Sequence, residues 1–282
     1  MAGRAYDART DRYQLPAGAA APALPCVLRT GATIGPQALT AAAPATTPSS
    51  TEAEPVLVLA SASPRRRELL RYLGVPFTAI ATTAEEEQHP EPPDSISAAL
   101  PPFPLDRDGH PTLLAWRKAS AGAERGYHGL VLGADTIVVV DGTILGKPRD
   151  EAEARTMLRM LGGRTHSVYT GIALLHAQMK ARCLFDLVRS DVSMAHLSDE
   201  EIAGYVATGE PMDKAGAYGI QGLGGRLVQH VAGSYTCVVG LPLPAVHRLL
   251  ETMGVENLVD PAEAFRQWVA DRGDQEPPCT AP

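Results

Sequence analysis

Hydrophobic and polar positions change in regular blocks from about residue 56 onwards, and the blocks predict strands and helices in turn. A short apolar run, Val56 to Ala60, has the continuous hydrophobicity that is typical of a buried strand. After a small polar turn, Ser63 and Pro64 suit the N-cap and the first position of a helix. The leucines that follow have helical spacing (Leu69, Leu70 and Leu73). The pattern therefore predicts a strand, a turn of small residues and a helix.

The rest of the folded region continues this alternation. Residues 130–140 predict a second buried strand, and Asp141-Gly142 a turn into a short strand over 143–145. Helix starts are marked by two capping patterns, Asp150 with Glu153 and Ser198 with Glu201. The remaining predictions are strands over 167–176 and 183–196, a glycine-rich loop over 213–225, two short strands about Ser234-Tyr235 and a helix from Pro242 or Pro244. This order predicts an α/β fold with one central mixed sheet.

Three segments lack the pattern and define the predicted domain limits. Residues 1–54 are rich in Ala, Pro and Thr and predict a disordered extension, which is either a plain extension or an organelle transit peptide. A proline-rich stretch, residues 89–111, predicts a long surface loop inside the 55–255 domain. Residues 256–282 predict a C-terminal helix, docked or frayed, that begins near Asp260 and ends in a polar tail.

Composition narrows the classes of function. The chain has 282 residues, 45% of them hydrophobic, which is enough for a substantial core. Its net charge of −7 argues against a broad nucleic-acid surface, so a basic site must be local. The four cysteines have neither zinc-ligand nor redox spacing, which favours free thiols and a reducing, cytoplasmic compartment. The sequence contains no run of about 18 apolar residues, so it predicts no membrane span.

The turn at residues 61–63 is the strongest candidate for a binding site. A strand followed by a helix N-terminus directs backbone N–H groups and the helix dipole at one spot, where anions bind. Three arginines (Arg65, Arg66 and Arg67) occupy the first helical turn, where the dipole disfavours cations. A bound polyphosphate would compensate for that placement. The alternative is a solvated helix start with surface arginines.

Acidic and basic side chains elsewhere fit the same chemistry. Asp135 interrupts an otherwise apolar strand, which suggests a metal ligand, a general base or simply a paired core carboxylate. The run Glu85 to Glu87 follows a predicted strand and is either a ligand set or a solvated charge run. Cations are available on a predicted helix and on two glycine-containing loops (Lys118, Lys147 and Lys214). Together these groups fit Mg²⁺ or Mn²⁺ bound with phosphates.

Four segments, in this order and spacing, resemble the Maf family of nucleoside triphosphate pyrophosphatases: SASPRRRELL, GADTIVVVDGTILGKP, GRTHSVYTGIAL and EPMDKAGAYGIQGLGG. The resemblance covers about residues 56–250. It implies an elongated α/β fold, similar to inosine triphosphatases, in which two lobes of a mixed sheet flanked by helices enclose a central cleft. It also implies a homodimer, a divalent metal, and hydrolysis of a nucleoside triphosphate to the monophosphate and pyrophosphate.

The resemblance assigns roles to matching residues. Asp135 is similar to the family's proton acceptor and metal ligand, and Glu86 to its metal-binding glutamate, although the segment Thr83 to Glu86 lacks the first acid of the usual Asp-x-Asp-Glu. Seven further residues resemble substrate-binding residues of the family, namely Ser61, Ser63, Arg65, Arg66, Lys118, Lys147 and Lys214.

Three positions, Arg65, Thr136 and Gln221, resemble the family type that cleaves dTTP and UTP, whereas the 7-methyl-GTP type has Trp, Gln and Glu there. A glutamine amide offers both a donor and an acceptor to a pyrimidine. The expected partner is thus a small nucleoside triphosphate, without nucleic acid or membrane. The alternatives are a pyrophosphatase for CTP or modified pyrimidines and a non-catalytic regulator of septum formation in cell division.

Overall fold

The computed structural model describes residues 6–7, 12–13, 57–82, 92–106, 109–179 and 182–272. Its strands are β1 (Tyr6–Asp7), β2 (Arg12–Tyr13), β3 (Leu57–Ala60), β4 (Phe77–Ile80), β5 (Leu130–Val140), β6 (Thr143–Leu145), β7 (Thr165–His176), β8 (Cys183–Met194) and β9 (Val228–Ala232). Its α-helices are α1 (Pro64–Arg71), α2 (Asp94–Ala99), α3 (Pro111–Ala123), α4 (Glu151–Leu161), α5 (Asp199–Val206), α6 (Tyr235–Val239), α7 (Leu243–Thr252) and α8 (Pro261–Asp271).

Seven of these strands form one mixed sheet, which confirms the predicted fold class. The sheet has the order β4-β3-β5-β7-β8-β9, and β6 pairs with the far end of β5. Strand β3 runs parallel to both β4 and β5, whereas the pairs from β5 to β9 are antiparallel. Helices cover both faces of this sheet.

Among the described residues, no strand pairs with the middle of one edge of β5. Residues 130–133 of this edge pair with β3, and residues 138–140 pair with β6. The other edge is paired with β7 from residue 130 to 139. The gap at residues 134–137 therefore opens at the carboxyl end of β3, the place where parallel strands of α/β sheets present ligand sites.

The sheet separates two layers of side chains. Alternate residues of β5, such as Leu130 and Leu132, face the main core, which contains apolar side chains from α1, α4, α5, α6, α7 and α8. Val131 faces the opposite side, where the alanines of α3 pack. Because successive residues of a strand point to opposite faces, residues 135 and 136 can reach one space only where the strand edge is open.

Helix α3 lies unusually close to the sheet. A Cβ added at Gly133 of β5 would lie 2.0 Å from the carbonyl oxygen of Ala115, so only glycine permits this approach. The short distance brings the middle of α3, including Lys118, over the open edge of β5.

Local capping signals predicted several helix starts correctly. The Ser63 hydroxyl accepts from the backbone N–H of Arg66 at 3.5 Å, and Asp150 accepts from that of Glu153 at 2.8 Å. Both hydrogen bonds of the predicted capping box between Ser198 and Glu201 are present. These interactions depend on residues three apart, so the sequence pattern is sufficient to specify them.

Two predictions of secondary structure were wrong. The proline-rich stretch 89–111 contains helix α2, because its prolines flank the helix at Pro92, Pro93 and Pro101 and leave the interior free. Ser234 does not lie in a strand; its hydroxyl accepts from the N–H of Cys237 at 3.0 Å and caps α6. A serine before β-branched residues fits both structures, and the tertiary packing selects the helix.

The C-terminal helix is docked. In α8 the side chain of Trp268 is 2% exposed, and its indole N–H donates to Glu68 of α1 at 2.8 Å. The predicted disordered extension lies outside the described residues except for β1 and β2, which pair with each other. The polar tail, residues 273–282, also lies outside them. Within the described part of the chain, no helix combines the length and hydrophobicity that crossing a bilayer requires.

Candidate active site

A cavity of about 420 Å³ opens at the gap in the β5 edge, between the start of α1 and the glycine-rich loop 213–225. Ten of the eleven predicted site residues line it: Ser61, Ser63, Arg65, Arg66, Lys118, Asp135, Thr136, Lys147, Lys214 and Gln221. The eleventh, Glu86, lies outside the described residues, as do its neighbours Glu85 and Glu87. Thr82, the last described residue before Glu86, also lines the cavity.

The guanidinium of Arg66 is fixed at the start of α1. Its Nε donates to the carbonyl of Gly240 at 2.8 Å, its Nη1 to Ser61 Oγ at 3.4 Å and its Nη2 to Thr136 Oγ1 at 3.0 Å. The residue is 9% exposed. A planar fork held at three points presents its charge to the cavity in one orientation, which suits a phosphate.

Thr136 and Thr170 determine the direction of the hydrogen bond between Arg66 and Thr136. Thr170 Oγ1 donates to the carbonyl of Cys237 at 2.8 Å and lies 2.9 Å from Thr136 Oγ1. Since the Thr170 hydrogen is committed to a carbonyl, Thr136 must donate to Thr170, and the Thr136 oxygen accepts from Arg66. Thr136 therefore acts on the cavity through the guanidinium of Arg66, with its own proton directed away.

The predicted proton acceptor is paired with a buried lysine. Lys118 Nζ lies 2.6 Å from Asp135 Oδ1, and the two side chains are 4% and 12% exposed. The pair exists because α3 approaches the sheet closely enough for a lysine on its inner face to reach the open strand edge. A buried charge pair of this kind orients the carboxylate within the cavity.

A second carboxylate, Asp213, joins two of the predicted phosphate-binding cations. Its Oδ2 lies 3.3 Å from Arg65 Nη1, and its Oδ1 lies 2.5 Å from Lys214 Nζ. Partial burial acts to raise the pKa of Asp213, but its contacts with Lys214 and Arg65 outweigh that effect and lower the pKa. The side chain is 64% exposed, so this bridge contributes little to stability.

Gln221 presents an amide to which none of the described residues is hydrogen-bonded. Both its Nε2 and its Oε1 are buried, and neither has a hydrogen-bond partner in the part of the chain that the structure describes. Leaving a buried donor and a buried acceptor unsatisfied is costly, and such a group inside a cavity points to a ligand that supplies both partners.

The side chains that line the cavity carry a net positive charge, whereas the whole chain is negative. Five cationic side chains and two carboxylates border it, although the whole chain carries a net charge of −7. Low-dielectric walls strengthen this local field, which would attract a polyanion. The arrangement can therefore bind phosphates at the start of α1 and hold a water beside Asp135.

A buried His166–Tyr218 pair supports one wall of the cavity. His166 Nε2 lies 2.8 Å from the hydroxyl of Tyr218, a cavity residue. Desolvation lowers the pKa of His166 to about 4. The ring is therefore neutral at physiological pH, as expected for a structural histidine.

This pair makes stability sensitive to acid. Between pH 6.5 and pH 4 the unfolded chain binds more protons than the folded one, so the contribution of His166 is fully present above pH 6.5 and declines as the pH falls. By pH 5 we expect a loss of about 2 kcal/mol in the free energy of unfolding. Urea unfolding at pH 8 and pH 5 measures it, with His166→Gln as the comparison. Equal pH dependence in the two proteins would contradict the assignment.

Sequence reasoning missed the residues that position the others. Asp213 gave a weak signal, since it directly precedes Lys214 in the glycine-rich loop. Thr170 and the carbonyl of Gly240 gave none, because their roles depend on strand register and on a distant helix end.

Comparisons with known proteins identify the family of this chain. The model of the family described as Maf-like protein matches residues 56–253. A dTTP/UTP pyrophosphatase from Shigella dysenteriae serotype 1 is 50% identical over 195 residues, which are 69% of this chain and 91% of that protein. A dTTP/UTP pyrophosphatase from Bacillus cereus (strain AH820) is 46% identical over 200 residues, 71% of this chain and 96% of that protein.

Among solved structures, a nucleoside-triphosphatase (dITP/XTP pyrophosphatase) from Mycobacterium abscessus aligns with 72% of this chain and 100% of that one. Its TM-score of 0.34 and identity of 15% are too low to support an argument. The family model and the curated relatives, in contrast, each span at least two thirds of this chain. The chain therefore belongs to the Maf-like protein family.

Proposed function

We propose that this protein is a nucleoside triphosphate pyrophosphatase that hydrolyses dTTP and UTP to the monophosphate and pyrophosphate, and so removes these nucleotides from the cellular pool. The observation that carries the proposal is the cavity itself, in which a fixed guanidinium, lysines and Asp135 lie with a buried amide that no described residue hydrogen-bonds. Two relatives that carry the name dTTP/UTP pyrophosphatase are 46% and 50% identical to this chain.

The triphosphate binds at the start of α1. The Arg66 guanidinium and the positive end of the α1 dipole hold phosphate oxygens. Arg65, Lys147 and Lys214 surround the departing pyrophosphate and neutralise the charge that develops on it.

Asp135 accepts the proton of the attacking water. Its carboxylate is held by Lys118 at 2.6 Å, in a largely buried position. A fixed base next to a bound triphosphate places water for in-line attack on the α-phosphorus.

A divalent metal fits the donor chemistry of the cavity. Mg²⁺ is commonly held by one or two carboxylates together with substrate phosphates. Asp135 supplies one carboxylate, and Glu86 is the proposed second, although it lies outside the described residues. Among residues 57–82, 92–106, 109–179 and 182–272, no group of three or more His, Cys, Asp or Glu side chains forms a ready-made metal site, so the triphosphate would complete the ligand set. When bound, Mg²⁺ or Mn²⁺ would neutralise phosphate charge and acidify a bound water.

Gln221 recognises the base. Thymine and uracil present an N–H between two carbonyl groups, and one amide can accept from the N–H while it donates to a carbonyl. Both amide atoms of Gln221 are buried and available for these contacts.

Replacement of Gln221 by glutamate is expected to lower kcat/KM for dTTP about 30-fold, because a carboxylate accepts from the base N–H but repels the neighbouring carbonyl. Steady-state kinetics with dTTP and UTP measure the change. Gln221→Ala is the matched control, since it removes the contacts without adding repulsion and should lose less. Unchanged dTTP and UTP kinetics in Gln221→Glu would show that Gln221 does not contact the base.

The proposed activity is tested by pyrophosphate release from dTTP, UTP, CTP, GTP and 7-methyl-GTP, with Mg²⁺ and with a chelator. We expect release from dTTP and UTP that requires the metal. A preference for CTP or 7-methyl-GTP would overturn the substrate assignment, and no release from any of them would overturn the enzymatic one. The homodimer implied by the family resemblance stays a prediction that sedimentation velocity can test.

A further inference from the structure

The segment that carries Gln221 is tied to helix α5 by two side chains. The Tyr205 hydroxyl donates to Glu210 Oε1 at 2.9 Å and accepts from the backbone N–H of Gly219 at 3.2 Å. Glu210 in turn accepts from the backbone N–H groups of Leu223 and Gly224, each at 3.0 Å. We refer to Tyr205 and Glu210 as the clamp and to residues 219–224 as the base loop.

The clamp grips the base loop on both sides of Gln221. Gly219 lies two residues before Gln221, and Leu223 lies two residues after it. A Cβ at Gly224 would lie 2.5 Å from the Tyr205 hydroxyl and 2.6 Å from the carbonyl oxygen of Gly219, so the two ends of the loop meet at this phenol. A loop fixed at both ends holds the Gln221 backbone in one position, so its side chain starts from a defined place beside the cavity.

Glu210 also contacts the phosphate side of the cavity. Its carbonyl oxygen accepts from Lys214 Nζ at 2.6 Å, while its carboxylate holds the base loop. One residue thus fixes the amide proposed to recognise the base and a lysine proposed to bind the leaving pyrophosphate.

Burial and helix capping stabilise the hydrogen bonds of the clamp. Tyr205 is 6% exposed and lies in the last turn of α5, a helix that begins with a complete capping box. Burial raises the pKa of the Tyr205 phenol, so the hydroxyl keeps the proton that it donates to Glu210. Neither side chain lines the cavity.

We propose that Tyr205 and Glu210 are positioning residues for base selection: they hold the backbone on both sides of Gln221, so that its amide meets the edge of the base that distinguishes uracil and thymine from cytosine. The inference rests on the proposed function. If the base loop moved, the amide would lose its alignment with the N–H and the carbonyl of uracil and thymine, and cytosine would be disfavoured less. A rigid base loop is therefore what makes the amide selective.

The test is a double-mutant cycle with Tyr205→Phe and Gln221→Ala. We expect Tyr205→Phe to raise KM for dTTP about tenfold, with kcat within about threefold of wild type. In the Gln221→Ala background the same change should alter KM less than about twofold, because the loop no longer carries the amide. The ratio of kcat/KM for dTTP over CTP should fall, and Glu210→Gln should give a fall of the same sign.

Two controls separate positioning from general damage. Inorganic tripolyphosphate lacks a base, so its inhibition constant should stay within about twofold of wild type in Tyr205→Phe. Tyr72→Phe is the matched variant, since Tyr72 also donates to a carboxylate, Asp271, at 2.9 Å, but on the far helix α8. It should leave KM, the dTTP over CTP ratio and tripolyphosphate inhibition unchanged.

Hydrogen exchange tests the clamp without any turnover. In Tyr205→Phe the backbone amides of the base loop should exchange about tenfold faster than in wild type, and in Tyr72→Phe at the wild-type rate. Absence of dTTP and UTP hydrolysis by wild type would overturn the proposed function. In that case the hydrogen-exchange rates of the base loop would still show whether Tyr205 holds it. Equal KM effects in both backgrounds, an equal loss of tripolyphosphate binding, or unchanged exchange would overturn the clamp.

Discussion

Asp135→Asn is expected to lower kcat for dTTP about a thousandfold, because an amide cannot accept the proton of the attacking water. Binding should change less, since the arginines proposed to bind phosphate at the start of α1 are intact. Pyrophosphate release under single-turnover and steady-state conditions separates the two effects. Near-normal turnover would remove Asp135 from the mechanism.

The same substitution should also destabilise the fold. The side chain of Lys118 is 4% exposed and would lose the negative charge of Asp135 beside it. We expect a loss of about 2 kcal/mol, which is less than for complete removal of the partner because the amide oxygen still accepts from the ammonium. Urea unfolding at pH 8 measures it.

Asp186→Asn is the matched control for this loss. The Asp186 side chain is also 12% exposed and is paired with Arg248 at 2.5 Å, but it lies on β8 outside the cavity. We expect Asp186→Asn to lower stability and to leave kcat within about threefold of wild type. A comparable collapse of kcat in both variants would mean that the effect at Asp135 is structural.

Arg66→Lys is expected to lower kcat/KM for dTTP about a hundredfold. The guanidinium donates to Gly240, Ser61 and Thr136 through three different nitrogens, and one ammonium cannot span these acceptors. The charge is kept, so the loss would measure the orientation of the fork. Steady-state kinetics over a range of dTTP concentrations provide the value.

Arg67→Lys serves as its control. Arg67 lies in the same helical turn, but it donates to the carbonyl of Ala62 and does not line the cavity. Its kinetics should match those of wild type within about twofold. If Arg66→Lys behaved like Arg67→Lys, the fixed guanidinium would have no part in catalysis.

The sequence was sufficient where a feature depends on neighbours in the chain. The starts of α1, α4 and α5 follow from caps three residues away from their partners, and β5 follows from its apolar run. The proline content of residues 89–111 predicts a loop but does not exclude helix α2, because proline disrupts a helix only when it lies in the interior.

The residues that line the cavity could be predicted, but the contacts between them could not. Lys118 and Asp135 were both candidates, yet their contact depends on the close approach of α3 permitted by Gly133. The order of hydrogen bonds from Arg66 to Thr170 depends on the register that places Thr136 opposite Thr170. Such contacts join residues far apart in sequence, so no local pattern specifies them. The role of Glu86 stays a prediction.

The central claim, water attack on the α-phosphorus next to Asp135, is tested most directly by hydrolysis of dTTP in water enriched in oxygen-18. Mass spectrometry of the products shows which phosphorus received the oxygen. The account predicts one labelled oxygen in dTMP and none in pyrophosphate after a single turnover. Label in pyrophosphate, or release of inorganic phosphate with dTDP, would contradict it.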